Sequence, residues 1–200
     1  RLYANDKLEF QNKLKLGFNL IIVFGTLIAI VASLSSYFWL TLIFGDEYSS
    51  AVMVFNFLIW FSVLSILDSL LSNGLSSAYK ERVLAIIATI DVIIILPLLY
   101  YASSFGAWGL AFVKLTTGTV FLGYHLYVFV KVLNVKIFNK NLILLLGFYF
   151  TALSICLFME NQILQLLLIT ILLLILIIMR NSPIIETFNY VRLSIKKIRV

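Results

Sequence analysis

Three charges fall inside long apolar stretches of this 200-residue chain: Asp68, Asp91 and Lys114. At the centre of a hydrocarbon layer a charge costs from about 2.5 to above 10 kcal/mol, so it usually marks an ion pathway, a substrate contact or an ion pair between helices. If the stretches are membrane helices, Asp91 lies about 8 residues, ~12 Å, from the start of its own, and Lys114 about 8 residues from the start of the next, which enters from the opposite side. Asp68 sits somewhat closer to the side on which the Asp91 helix begins. Consecutive helices are usually neighbours. Asp91 and Lys114 therefore make a reasonable pair, with Asp68 as the alternative partner. Two chemistries follow. In one, Lys114 meets an anionic substrate group in a polar cavity, while Asp68 or Asp91 carries a coupling proton or cation. In the other, the charges form an inert ion pair between helices.

Other reactive side chains are few. His125 is the single histidine and falls near the end of its apolar stretch, between Tyr124 and Tyr127, as an interfacial residue would. A proton-relay role for it needs an acidic neighbour that the sequence alone does not place. Cys156 is the single cysteine, which excludes a disulfide within the chain, and it reads as a small buried or lipid-facing residue. Pro97, six residues past Asp91, leaves a backbone carbonyl without its usual donor and is expected to kink its helix. There is no GxxxxGK, GxSxG or HExxH motif and no pair of histidines for a metal, so neither an enzyme nor a cofactor is expected. Lys80-Glu81-Arg82 is a short charged turn of the kind that ends helices.

The elements that must hold these residues follow from composition. Of the residues 62% are apolar and 12% charged, and the mean hydropathy is +1.08. Soluble domains usually carry about a quarter charged residues. Lipid rather than water must wet most of this surface. Apolar runs of about 20 residues match the length that crosses a hydrocarbon core. Six spans are expected, at 16–38, 51–73, 83–101, 106–130, 141–159 and 163–179. A β-barrel is the competing membrane solution, but runs such as Leu166–Leu174 do not alternate, which favours helices. The expected fold class is thus an all-α integral membrane protein.

Basic residues set the expected orientation. Arg1, Lys7, Lys13, Lys15, Lys80, Arg82, Lys131, Lys136, Lys140, Arg180, Arg192, Lys196, Lys197 and Arg199 all fall in segments on one side of the six spans. The opposite connections carry Asp46, Glu47 and Glu160 and no basic residue. By the positive-inside rule both ends of the chain face the cytoplasm. The net charge of +6 then reflects topology and attraction to anionic lipid, not nucleic-acid binding.

Organisation along the chain divides it into a polar cytoplasmic linker at 1–15, a four-helix body at 16–135, a peripheral two-helix hairpin at 136–180 turning at Glu160-Asn161-Gln162, and a basic tail at 181–200. Gly17, Gly25, Ala29, Ala32 and Ser33 mark the first span as packed against its neighbours. Trp60, in the middle of the second span, is expected between helices. In the tail, Ile184, Phe188, Val191, Ile195 and Ile198 recur every three to four residues, as in an amphipathic helix on the inner leaflet. A frayed topology anchor is the alternative.

Four segments in order carry a resemblance: Leu2-Tyr3-Ala4-Asn5-Asp6 before a span, Ile43 to Ala51 with Gly-x-x-Tyr-x-x-Ala in an outer loop, Asn73-Gly74-Leu75 to Lys80-Glu81-Arg82 in an inner loop, and Phe105 to Ala111 with Gly-x-x-Gly-x-Ala at a helix start. Over roughly residues 1–135 they resemble the C-terminal half of bacterial polysaccharide flippases of the multidrug/oligosaccharidyl-lipid/polysaccharide exporter superfamily. The resemblance implies two six-helix lobes plus two further helices, of which the present spans are helices 9 to 14. It implies that the chain is part of a longer protein whose N-terminal lobe is its partner. It also implies alternating access in the bacterial inner membrane, moving a polyprenyl-pyrophosphate-linked oligosaccharide between leaflets for surface polysaccharide (O-antigen, lipopolysaccharide) synthesis. Polysaccharide polymerase and assembly proteins are further implied partners. Lys114 would contact the pyrophosphate, and Asp68 or Asp91 would couple an ion. A small-molecule or cation antiporter of the same superfamily and a scaffold subunit without transport are the alternatives.

Overall fold

The computed structural model describes residues 7–137, 140–158 and 162–178. Six α-helices make up nearly all of them: α1 (Lys7–Phe44), α2 (Val52–Ser77), α3 (Glu81–Ser103), α4 (Gly106–Leu133), α5 (Lys140–Phe158) and α6 (Gln162–Ile178). A 3-10 segment, Asp46–Ala51, joins α1 to α2. No strand occurs among the described residues. The Leu2–Asp6 segment, the turn at Glu160-Asn161 and the basic tail at 181–200 lie outside them.

Helix ends follow local chemistry. Gly45 adopts φ 91°, a region open to glycine at little steric cost, and its N–H closes the last turn of α1 on Thr41 O at 2.9 Å. Asn134 ends α4 in the left-handed conformation at φ 49°, with its N–H on Val130 O, as a C-terminal cap. α1 starts before the expected span. Residues 7–15, read as linker from their polarity, are helical, because Phe10, Leu14 and Phe18 share a face and are all buried. Pro97 stands inside α3, which runs unbroken to Ser103.

Close contacts fix how the helices lie. Leu14 approaches Gly74, Leu70 approaches Gly17 and Val63 approaches Gly25, so α1 and α2 are antiparallel. Phe61 lies on Gly118 and Phe129 on Gly74, so α2 and α4 run in the same direction. These glycines are where the backbones come nearest: a Cβ at Gly74 would stand 2.8 Å from a Phe129 ring carbon, and one at Gly118 2.8 Å from Phe61. Trp60 is fully buried and donates its indole N–H to Ser33 Oγ at 3.0 Å, while Tyr149 of α5 donates to Trp60 O at 2.8 Å. These bonds tie α1, α2 and α5 together. α6 packs on α5 at the edge of the bundle.

α3 is the exception to this packing. Only Ile87 and Ala102 of its residues are buried, while Ile86, Val92, Ile93, Leu96 and Leu98 are exposed. Exposed apolar side chains of this density fit lipid better than water. By length and composition, Lys7–Phe44, Asp46–Ser77, Glu81–Ser103 and Lys140–Phe158 are long and apolar enough to cross a membrane, with a shorter apolar stretch at Leu164–Leu174. α4 has the length but carries Lys114, Thr116, Thr117, Thr119 and His125, which lower its apolar character.

Candidate functional site

α4 concentrates polar side chains, and its two neighbours each contribute a carboxylate opposite one of them. Asp68 of α2, Asp91 of α3 and His125 of α4 meet between the three helices. Asp68 is nine residues before the end of α2, Asp91 ten after the start of α3 and His125 eight before the end of α4, so all three lie roughly 12–15 Å from the same end of the bundle. The helix directions make the meeting unavoidable once α2 and α4 run in parallel.

His125 is 6% exposed. Its Nδ1–H donates to Asp68 Oδ1. Its Nε2 stands 2.9 Å from Asp91 Oδ2, a charge contact whose direction lies off a straight hydrogen bond, so Nε2 and Asp91 Oδ1 are both shielded atoms without an aligned partner. The imidazole stacks on Phe121, with ring centroids 6.3 Å apart and planes at 14°, and the Tyr124 ring lies 5.8 Å away. A cavity of about 180 Å³ opens beside the three polar residues, walled by Phe61, Ser65, Ile95 and Thr117. Among the described residues no group of three or more His, Cys, Asp and Glu is arranged to hold a metal ion. The nitrogen–oxygen contacts suit proton sharing.

This arrangement corrects the pairing expected from sequence. Lys114 is not the partner of either aspartate. It lies eleven residues before His125, about 16 Å along α4, beyond the reach of its side chain. Its ammonium instead sits over the Phe61 ring, 5.8 Å from the centroid. Lys114, Gly118, Phe121 and His125 nevertheless recur at helical spacing on one face of α4, so Lys114 stands on the same wall as the cavity, further toward the opposite end. The residue that sequence reasoning left aside is His125. The available signal was the shared depth of Asp68, Asp91 and His125, hidden because the span was ended at residue 130 and α4 continues to Leu133.

A second cavity, of about 420 Å³, lies toward the other end between α1, the 3-10 segment, α2, α5 and α6. Its polar lining carries no charged side chain: Ser33, Ser36, Tyr37, Ser49, Asn56 and Gln165 take part, and no Asp, Glu, Lys, Arg or His does. Asn56 Oδ1 is shielded and without a hydrogen-bond partner. The structure thus has a charged cluster at one level and an uncharged polar cavity at another. Comparison with family models, with curated proteins and with solved structures gives no match.

Proposed function

We propose that the chain is part of a proton-linked membrane transporter that flips lipid-linked oligosaccharide, four helices of one lobe and a peripheral pair. The observation that carries the reading is a buried histidine bracketed by carboxylates from two other helices. As an imidazolium, His125 offers an N–H to both Asp68 and Asp91 and holds α2, α3 and α4 together. As a neutral imidazole it donates from one nitrogen only, so one carboxylate loses its partner. The cluster's charge also falls from −1 to −2 if both carboxylates are ionised, which is costly in a low-dielectric layer. The helix released at least cost is α3, since only Ile87 and Ala102 bury it elsewhere. Proton exchange at one residue would thereby become movement of one helix.

The substrate side of the proposal rests on three things. The ordered segments described above resemble the exporter superfamily, Lys114 offers a cation on the α4 face that carries His125, and the uncharged cavity lined by hydroxyl and amide groups suits a hydroxyl-rich ligand. The orientation with both ends cytoplasmic, the count of six spans and the inner-membrane location belong to the same reading. A scaffold role predicts instead that the three polar residues can be neutralised together without effect.

The test uses the full-length protein in proteoliposomes with a fluorescent lipid-linked oligosaccharide and an imposed pH gradient. Wild type should flip faster with the gradient than without. His125→Gln and Asp91→Asn should lose that response while keeping the fold. A response undiminished in both variants would end the proton-linked reading.

A further inference from the structure

Asp68 is placed where a carboxylate should not face hydrocarbon. Its side chain is 38% exposed, roughly 13 Å along α2 from the helix end. The surface around it is not apolar. Ser65, Ser69, Asn73 and Ser76 are exposed and Ser72 half-buried, a polar stripe at helical spacing from the Asp68 level to the end of α2. At its foot, Lys13, Asn73 and Ser77 stand at a largely apolar hollow of about 380 Å³ shared with Phe10, Leu14 and Leu70. At its head lies the 180 Å³ cavity, where Asp68, Ser65 and Thr117 stand among apolar side chains. The partly exposed Asp68 carboxylate and the exposed Ser65 give water two polar partners at its edge.

We infer that this face of α2 borders a water-filled half-channel, through which protons reach the Asp68–His125–Asp91 cluster from the end of the bundle where α2 terminates. The inference rests on the proton-linked reading and adds its route and side. Water keeps the partly exposed Asp68 carboxylate solvated and leaves the serine hydroxyls able to accept from the chain of waters even where they donate to backbone. Ser69, for example, donates to Ser65 O at 2.9 Å. Acyl chains packed on this face would leave the exposed part of the Asp68 carboxylate unsolvated. Cytoplasmic Lys80 and Arg82, just past the foot, give the mouth a basic rim.

Sided thiol labelling tests this. In full-length protein cleared of its cysteines, with Cys156→Ala removing the buried thiol of this part, single cysteines replace Ser65, Ser69 and Asn73. Leu167→Cys and Ile93→Cys serve as controls at exposed apolar positions. Serine to cysteine is nearly isosteric, and all three test sites are exposed. Thiols react as thiolates, which need water, so a membrane-impermeant methanethiosulfonate should label the stripe at least about tenfold faster than the controls, and only from the side of the basic loops. Labelling at control rates, or only from the opposite side, overturns the inference. If the stripe is silent while flipping still responds to pH, the channel falls and the coupling site stands. If the stripe labels but wild-type flipping ignores pH, the path is wet but carries no coupling proton, and the inference falls with the reading beneath it.

Discussion

His125 shows how one side chain gains a role from its surroundings. In isolation it is an interfacial histidine; between Asp68 and Asp91 it is a three-helix junction. Because it is the single histidine of these 200 residues, segmental 15N labelling of this part gives one imidazole to follow without assignment. Asp91→Asn should change the pH dependence of its Nε2 signal, and Lys114→Gln, about 16 Å along the helix, should leave it nearly unchanged. A Lys114 effect as large as that of Asp91 would place the ammonium in the cluster. Trp60 is the structural counterpart. Trp60→Phe removes the N–H given to Ser33 and should cost about 0.6 kcal/mol, the usual worth of a hydrogen bond between membrane helices, measured by unfolding in mixed micelles. Asp68, Asp91 and the buried Trp60 were legible from residue type and position alone. The His125 partnership was not, because it needs three helices brought to one level.

At the scale of elements, close approach decides more than hydrophobicity. The apolar runs of α1 to α5 could be read to within a few residues at most ends, since hydropathy changes sharply where loops begin. The start of α1 could not, because Phe10 and Leu14 are too sparse to outweigh the charges around them until α2 and α4 are there to cover them. Small residues in α1 correctly marked a packed face, yet which glycine meets which partner depends on helix direction. Gly74→Ala would push a Cβ against the Phe129 ring, 2.8 Å away, and should cost about 1–3 kcal/mol through overpacking. Gly123→Ala meets nothing within 4 Å and should be neutral, or stabilise by up to about 1 kcal/mol through helix propensity. Equal thermal midpoints for the two variants would contradict the α2–α4 contact.

For the whole molecule, the distribution of basic residues makes a claim about sidedness that geometry makes checkable. α1 and α2 are antiparallel and α2 and α4 parallel, so Lys80 and Lys131 belong to one end and the 3-10 segment with Asp46 and Glu47 to the other. In a Cys156→Ala background, Ser49→Cys should be modified only from outside intact cells and Lys136→Cys only after permeabilisation. Modification of both from outside would refute the alternation of spans.

The uneven attachment of α3 has a consequence beyond protein–protein contact. With only Ile87 and Ala102 buried, most of its surface is left open, and in a bilayer acyl chains would compete directly with α2 and α4 for this helix. Charged Glu81 and Arg82 flank one end and Tyr100 and Tyr101 the other, which sets an apolar length the lipid must match. A membrane thinner or thicker than that length tilts the helix and strains its single polar tether at Asp91. On the proton-linked reading, acyl-chain length would then act on the charge cluster, and flipping should change with the chain length of the lipid used for reconstitution.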